Sequence, residues 1–119
     1  MICSVLVVDD DAEFRKLAGR LLAASGLAVV GEAGSVAEAL VAAGRLRPSA
    51  ALVDVGLRDG DGVALARELA LLPWRPCVVL TSVDGDSTTS EEARKAGARA
   101  FVVKAELPDA PLARLLGGE

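Results

Sequence analysis

Val5-Leu6-Val7-Val8-Asp9-Asp10-Asp11 is a continuously apolar, mainly β-branched run that ends in three carboxylates. A strand with water on one face alternates apolar and polar residues, whereas one with no polar position is covered on both faces, as in a parallel sheet. Cys77-Val78-Val79-Leu80 and Phe101-Val102-Val103 have the same character, the latter within a strand-like run from Ala100 to Val103, and Leu27 to Ala33 and Ala51 to Val55 complete a set of five.

Helical periods fill the spaces between them. Phe14, Leu17, Ala18, Leu21 and Leu22 follow the i, i+3, i+4, i+7, i+8 stripe of a helix with one buried face. Val36, Leu40 and Ala43 repeat it more weakly, and Leu65, Leu69 and Leu72 make a third helix. A fourth, around Ser90 to Ala96, has few apolar anchors among Glu91, Glu92, Arg94 and Lys95 and is expected to be mobile. The last is brief: Asp109 is expected to cap it, Pro111 suits its first turn, Leu112, Leu115 and Leu116 supply its buried face, and Gly117-Gly118 ends it. Ser35 with Glu38 three residues on predicts a capping box, and Gly26 and Gly44 fall at or near the ends of the first two helices. Strand ends near Asp9, Ala33, Asp54, Thr81 and Lys104 lie 24, 21, 27 and 23 residues apart. Each step has room for a crossover helix, so the expected fold is α/β: one domain over residues 1–119, five βα units in an open, doubly wound parallel sheet.

Composition narrows the function. The 119 residues are 52% apolar, enough for one compact core. Thirteen basic against 17 acidic side chains give a net charge of −4, and no helix carries a sustained basic stripe, which argues against direct nucleic-acid binding. There is no histidine. His-based acid–base catalysis, Ser-His-Asp triads and imidazole zinc sites are thereby excluded. No apolar stretch reaches the roughly 18 residues of a membrane span, and the chain starts without the basic n-region of a signal peptide. Cys3 and Cys77 sit in apolar runs without metal spacing and read as reduced thiols, so a cytoplasmic location is expected. The short last helix before Glu119 reads as a terminus and favours a stand-alone domain.

The polar residues gather where this topology puts the carboxyl ends of the strands, the ligand-binding edge of an open α/β sheet. Asp9, Asp10 and Asp11 follow the first strand, Asp54 closes the third, Thr81 and Ser82 the fourth, and Lys104 the fifth. Carboxylates packed together repel one another unless a cation intervenes. Mg²⁺ takes a few carboxylates and keeps positions for water and phosphate oxygens, so two aspartates and a backbone carbonyl suit it. Thr81 and Lys104 add a neutral donor and a cation suited to a phosphoryl group.

With Val7-Val8-Asp9-Asp10, Leu52-Val53-Asp54, Val79-Leu80-Thr81-Ser82 and Phe101-Val102-Val103-Lys104 in order at four strand ends, the chain resembles a bacterial response-regulator receiver domain from about Cys3 to about Leu116. The resemblance implies the flavodoxin-like strand order 2-1-3-4-5 and a phosphoacceptor signalling module rather than an enzyme acting on a separate substrate. It makes Asp54 the phosphoacceptor and Asp10, Asp54 and the Gly56 carbonyl the Mg²⁺ ligands, with Asp9 acting through a water. Thr81 would bond the phosphoryl oxygens, Lys104 would pair with the phosphate, and Phe101 would be the switch aromatic. The implied partners are a sensor histidine kinase, which brings the histidine this chain lacks, and a downstream protein or a second copy of the domain.

Two positions depart from the family pattern. Ala105 follows Lys104 where proline is usual, and Arg58 replaces a common proline after the phosphoacceptor, which predicts a looser loop from Gly56 to Gly60. Taken singly, the residues have plainer readings. Asp9 could cap a helix, Asp54 end a strand in a turn, Thr81 serve as a strand former, Lys104 reach solvent, and Phe101 belong to the core. Asp59-Gly60-Asp61-Gly62 lacks the remaining ligands of a calcium loop and reads as the turn leading into a helix. Two other functions share much of this pattern: a phosphorylation-independent pseudo-receiver acting through protein contacts, and a magnesium-dependent phosphohydrolase on a similar sheet.

Overall fold

The computed structural model describes residues 3–88 and 90–117. Strands β1 (Ser4–Val8), β2 (Ala28–Ala33), β3 (Ala50–Asp54), β4 (Cys77–Ser82) and β5 (Ala100–Val103) form one parallel sheet in the order β2-β1-β3-β4-β5. Helices α1 (Ala12–Ala24), α2 (Val36–Leu46), α3 (Gly62–Ala70), α4 (Ser90–Lys95) and α5 (Leu112–Gly117) cover it on both faces.

Alternation along the strands divides the core in two. Val5, Val7, Ala50, Leu52 and Val79 point to one side and meet Ala18 and Leu22 of α1 and Leu112 and Leu116 of α5. Leu6, Val8, Ala51, Val53, Val78 and Leu80 point to the other, against Ala39, Ala42 and Ala43 of α2, Leu65, Ala66 and Leu69 of α3, and Ala93 of α4. The unbroken apolar runs Val5–Val8 and Val78–Leu80 are thus strands buried on both faces, while Phe101–Val103, on the edge strand β5, is only partly buried. Alanine on α2 lets that helix lie close to the sheet. Registers Val8↔Val53, Asp54↔Thr81 and Ser82↔Val103 bring the strand ends level, so the polar residues beyond them share one edge.

The boundaries move by one or two residues from expectation. β3 stops at Asp54 rather than Val55, whose N–H donates to the Thr81 carbonyl and whose carbonyl accepts from Gly62. α1 is capped by Asp11, which accepts from the Glu13 and Phe14 amides, and not by Asp9; past its C-cap Ser25, Gly26 takes the left-handed conformation at φ 82°. Gly44 stays inside α2, and the left-handed cap falls to Arg47.

Two expectations need larger correction. Asp109 does not begin α5. It ends a 3-10 turn, Lys104–Asp109, while Pro111 immediately precedes the helix and its carbonyl accepts the Leu115 N–H. Leu107, 1% exposed, pulls that turn down onto α1 and α5. Gly117 closes α5, and Gly118 lies outside the described residues. Nor is the loop after Asp54 slack. Gly56–Leu57 pairs antiparallel with Gly60–Asp61, leaving Arg58 and Asp59 as a two-residue tip. There is no cis peptide among the described residues. No helix among them is long and apolar enough to cross a membrane.

Candidate phosphoryl and metal site

β1 ends at Val8, and the chain turns through Asp9 and Asp10 before α1 begins. The turn is held by four bonds. The Asp9 N–H donates to the Ala33 carbonyl, its carbonyl accepts from Arg15 Nη1 at 2.5 Å, Asp9 Oδ1 accepts the Asp11 N–H at 2.8 Å, and Arg15 Nε is anchored on Glu32 at 2.9 Å. Asp9 is therefore buried, at 1% exposure, although it is charged. Asp54, 7% exposed, reaches the same point from β3. One carboxylate oxygen from each of Asp9, Asp10 and Asp54 lies within 4.8 Å of the other two.

Among the described residues, one ammonium answers two of these three carboxylates. Lys104 Nζ is 2.6 Å from Asp9 Oδ2 and 3.9 Å from Asp54 Oδ1, and the ring of Phe14 packs against the ammonium with its centroid 4.0 Å away. The sequence reading let this lysine reach solvent; instead its side chain is 14% exposed and committed to the acidic cluster. Burial, then the neighbouring Asp9 carboxylate, pushes the Asp54 pKa up from 3.8 to about 6; Asp10 adds to the rise, and Lys104 and the Gly56 N–H oppose it.

The donors fit a hard divalent cation. Three carboxylates face one ammonium, and Asp9 Oδ2 is buried without an aligned hydrogen bond, the Lys104 ammonium beside it acting as an ion-pair neighbour only. An all-oxygen cluster open to water on the Asp10 side matches Mg²⁺ better than a closed cage or a softer metal. Asp9, Asp10 and Asp54 are the side chains able to hold it, and bound there it would offset anionic charge on an incoming phosphoryl group.

Thr81 and Ser82 end β4 beside Asp54 and Val103. The Thr81 hydroxyl does not point into the cluster: it donates to the Val102 carbonyl at 2.7 Å. Phe101 is half-buried and packs on the α2–α4 side of the core. Gly56 lies in the short hairpin, exposed, with its N–H near enough to the Asp54 carboxylate to favour the charged form. The structure thus brings together Asp9, Asp10, Asp54 and Lys104, places Gly56 and Thr81 beside them, and leaves Phe101 one layer away.

Sequence reasoning missed Arg15, Phe14 and Asp59. Phe14 lies on the apolar stripe of α1 and reads as core; only its position one turn after three aspartates distinguishes it. Arg15 follows it, and its partner Glu32 is 17 residues away. Asp59 reads as a turn residue, yet its carboxylate caps α2, 22 and 23 residues earlier.

A family model described as response regulator receiver domain matches residues 5–115. The DNA-binding transcriptional activator DevR/DosR of Mycobacterium tuberculosis is 43% identical over 105 residues, 87% of this chain and 48% of that protein. The chain therefore spans about half the length of that relative. The chemotaxis protein CheY of Thermotoga maritima is 30% identical over 100 residues, 84% of this chain and 83% of that one. In fold, a chain in the crystal structure of the CheX-CheY-BeF3-Mg²⁺ complex from Borrelia burgdorferi superposes with a TM-score of 0.81 at 18% identity, covering 93% of this chain and 87% of that chain. With the sheet order, the acidic cluster and these likenesses in agreement, this chain belongs to the response regulator receiver domain family.

Proposed function

We propose that the domain accepts a phosphoryl group on Asp54 from the phosphohistidine of a sensor histidine kinase, with Mg²⁺ bound by Asp10, Asp54 and the Gly56 carbonyl and assisted by Asp9 through a water. Receiver domains are signalling modules, and the family membership supports that class of function here. The observation that carries the residue assignment is the convergence of Asp9, Asp10 and Asp54 within 4.8 Å beside the Lys104 ammonium.

Asp54 is the nucleophile. One of its oxygens attacks phosphorus, the P–N bond breaks, and the donor imidazole leaves with that electron pair and takes a proton from solvent. With a pKa of about 6, Asp54 is mostly the reactive carboxylate at neutral pH. Asp9 holds the Lys104 ammonium within 3.9 Å of Asp54, so a cation stands ready for phosphoryl oxygens. Thr81 then exchanges its Val102 acceptor for a phosphoryl oxygen, which perturbs β4 and β5 and lets Phe101 repack. The domain's own chemistry is limited to accepting and slowly losing this group.

The output is a changed set of protein contacts, with a downstream protein or a second copy. The net charge of −4 supports that reading over direct DNA contact, and Cys3 and Cys77, which form no disulfide with each other, fit a cytoplasmic setting. Residues 1–119 act in it as one receiver unit. The test is mass spectrometry after incubation with acetyl phosphate and Mg²⁺, with borohydride trapping to locate the acyl phosphate. One phosphoryl group on the parent at Asp54 and none on Asp54→Ala is the expected result. Label on Asp59 or Asp61 would overturn the assignment, and no label at all would favour a phosphorylation-independent interaction module.

A further inference from the structure

The hairpin that carries Gly56 is too short to hold itself. Its two strands have two residues each, Gly56–Leu57 and Gly60–Asp61, and isolated hairpins of any length are marginal in water. Three anchors fix it. Leu57, 8% exposed, is buried in the α2–α4 side of the core. Asp61 caps α3 by accepting the Val63 N–H at 2.9 Å. The third anchor reaches outside the loop's own helix: Asp59 Oδ1 accepts the Val36 N–H at 2.7 Å and Oδ2 the Ala37 N–H at 3.2 Å, both in the first turn of α2.

The first turn of α2 needs those acceptors. Ser35 Oγ takes the Glu38 N–H, and Glu38 Oε1 turns back one residue further than the expected capping box, to the Gly34 N–H, which leaves the Val36 and Ala37 amides to Asp59. The Val36 amide, with the Ala37 amide behind it, holds the Asp59 carboxyl below the usual carboxylate range even though the side chain is solvated. The contact is close as well as polar, since a Cβ built on Gly60 would lie 3.1 Å from Val36 Cγ2.

We infer that Asp59 is a positioning residue for the phosphoryl site: by clamping the loop tip onto the start of α2, it holds the Gly56 backbone in place beside Asp54. The inference rests on the function proposed above, because Gly56 matters through its proposed place among the Mg²⁺ ligands. α2 then contributes to metal binding without touching the metal. Partners that support ligands from outside the coordination sphere commonly change affinity by about 10–100-fold when removed; Asp59 acts through three residues of backbone, so the low end applies.

Isothermal titration calorimetry with Mg²⁺ on the parent, Asp59→Ala, Asp59→Asn and Ser35→Ala tests this. Asp59→Ala is expected to raise the Mg²⁺ dissociation constant about tenfold, while phosphorylation by acetyl phosphate at saturating Mg²⁺ stays near the parent's. Asp59→Asn keeps one oxygen acceptor and is expected to fall between them. Ser35→Ala removes the other cap of the same helix without touching the loop, so it should lower the melting temperature and leave the Mg²⁺ constant unchanged. A parent-like constant for Asp59→Ala, or an equal shift for Ser35→Ala, overturns the positioning role while the proposed function stands. A parent that binds no Mg²⁺ overturns both.

Discussion

At the scale of single residues, the Lys104 ammonium, 2.6 Å from Asp9 and 3.9 Å from Asp54, is a structural counter-ion in the resting domain. Removing one partner of a buried pair leaves the other charge uncompensated, at a cost of about 3 kcal/mol. Lys104→Met is therefore expected to lower the unfolding free energy by roughly that amount in chelator, with part recovered in Mg²⁺; urea titrations in both conditions measure it, and unchanged stability in chelator would contradict the pairing. Asp54 gives a prediction with a defined sign. Its pKa rises from 3.8 to about 6 on folding, so the native state holds a proton that the unfolded chain releases. The group's contribution is most favourable below about pH 4 and declines as pH climbs to about 6; above that, the ionised carboxylate costs about 3 kcal/mol as an upper bound. Asp54→Asn should accordingly melt at a higher temperature than the parent at pH 7.5 without divalent ions, and at nearly the same temperature at pH 3.5. A lower melting temperature for the variant at pH 7.5 would mean that Asp54 is stabilised, not strained, by its neighbours.

The helices and strands show what can be read from local pattern. Three of the five strands were legible because Val5 to Val8, Cys77 to Leu80 and Phe101 to Val103 have no polar interruption, which the central strands need for burial on two faces. The acidic cluster was legible because Asp9, Asp10 and Asp54 each follow such a run. What escaped depends on contacts distant in sequence. Asp109 looked like a cap since an Asp two residues before a Pro has the right local chemistry, but burial of Leu107 set a 3-10 turn there instead. Arg58 suggested slack in a loop that Leu57, Asp59 and Asp61 tie down from three separate elements. α3 starts under a close constraint: a Cβ on Gly62 would run into the Asp54 carbonyl oxygen and carbon. Gly62→Ala must push α3 away from the end of β3, so it is expected to destabilise the fold, although glycine to alanine inside a helix ordinarily stabilises by about 1 kcal/mol. Denaturant unfolding gives the number, and a neutral effect would show that α3 can shift freely.

For the molecule as a whole, the two half-cores share one sheet, and no strand belongs to only one of them. Such a unit is expected to unfold in a single step. Trp74 is a convenient witness, being the one tryptophan and lying in the loop before β4, away from the acidic edge; its Nε1 donates to the Pro48 carbonyl and Arg47 stacks 4.5 Å from its ring. Its fluorescence and the far-UV circular dichroism should report the same urea midpoint, and separated midpoints would reveal an intermediate. Across the same sheet, the side-chain bond from the Thr81 hydroxyl to the Val102 carbonyl joins the acidic edge to β5, beside the ladder between the two strands and the Lys104 ion pairs. A neutral hydrogen bond has a net worth of about 1 kcal/mol. If that bond alone separated the resting from the signalling arrangement, about one molecule in six would already be in the signalling one before any phosphate arrived. On that supposition, and under the proposed function, the bond sets the noise floor of the circuit. Under the proposed function, a downstream reader has to set its threshold above that background, and a change at residue 81 that drops the hydroxyl is expected to alter the rate of false alarms as well as the strength of the true one.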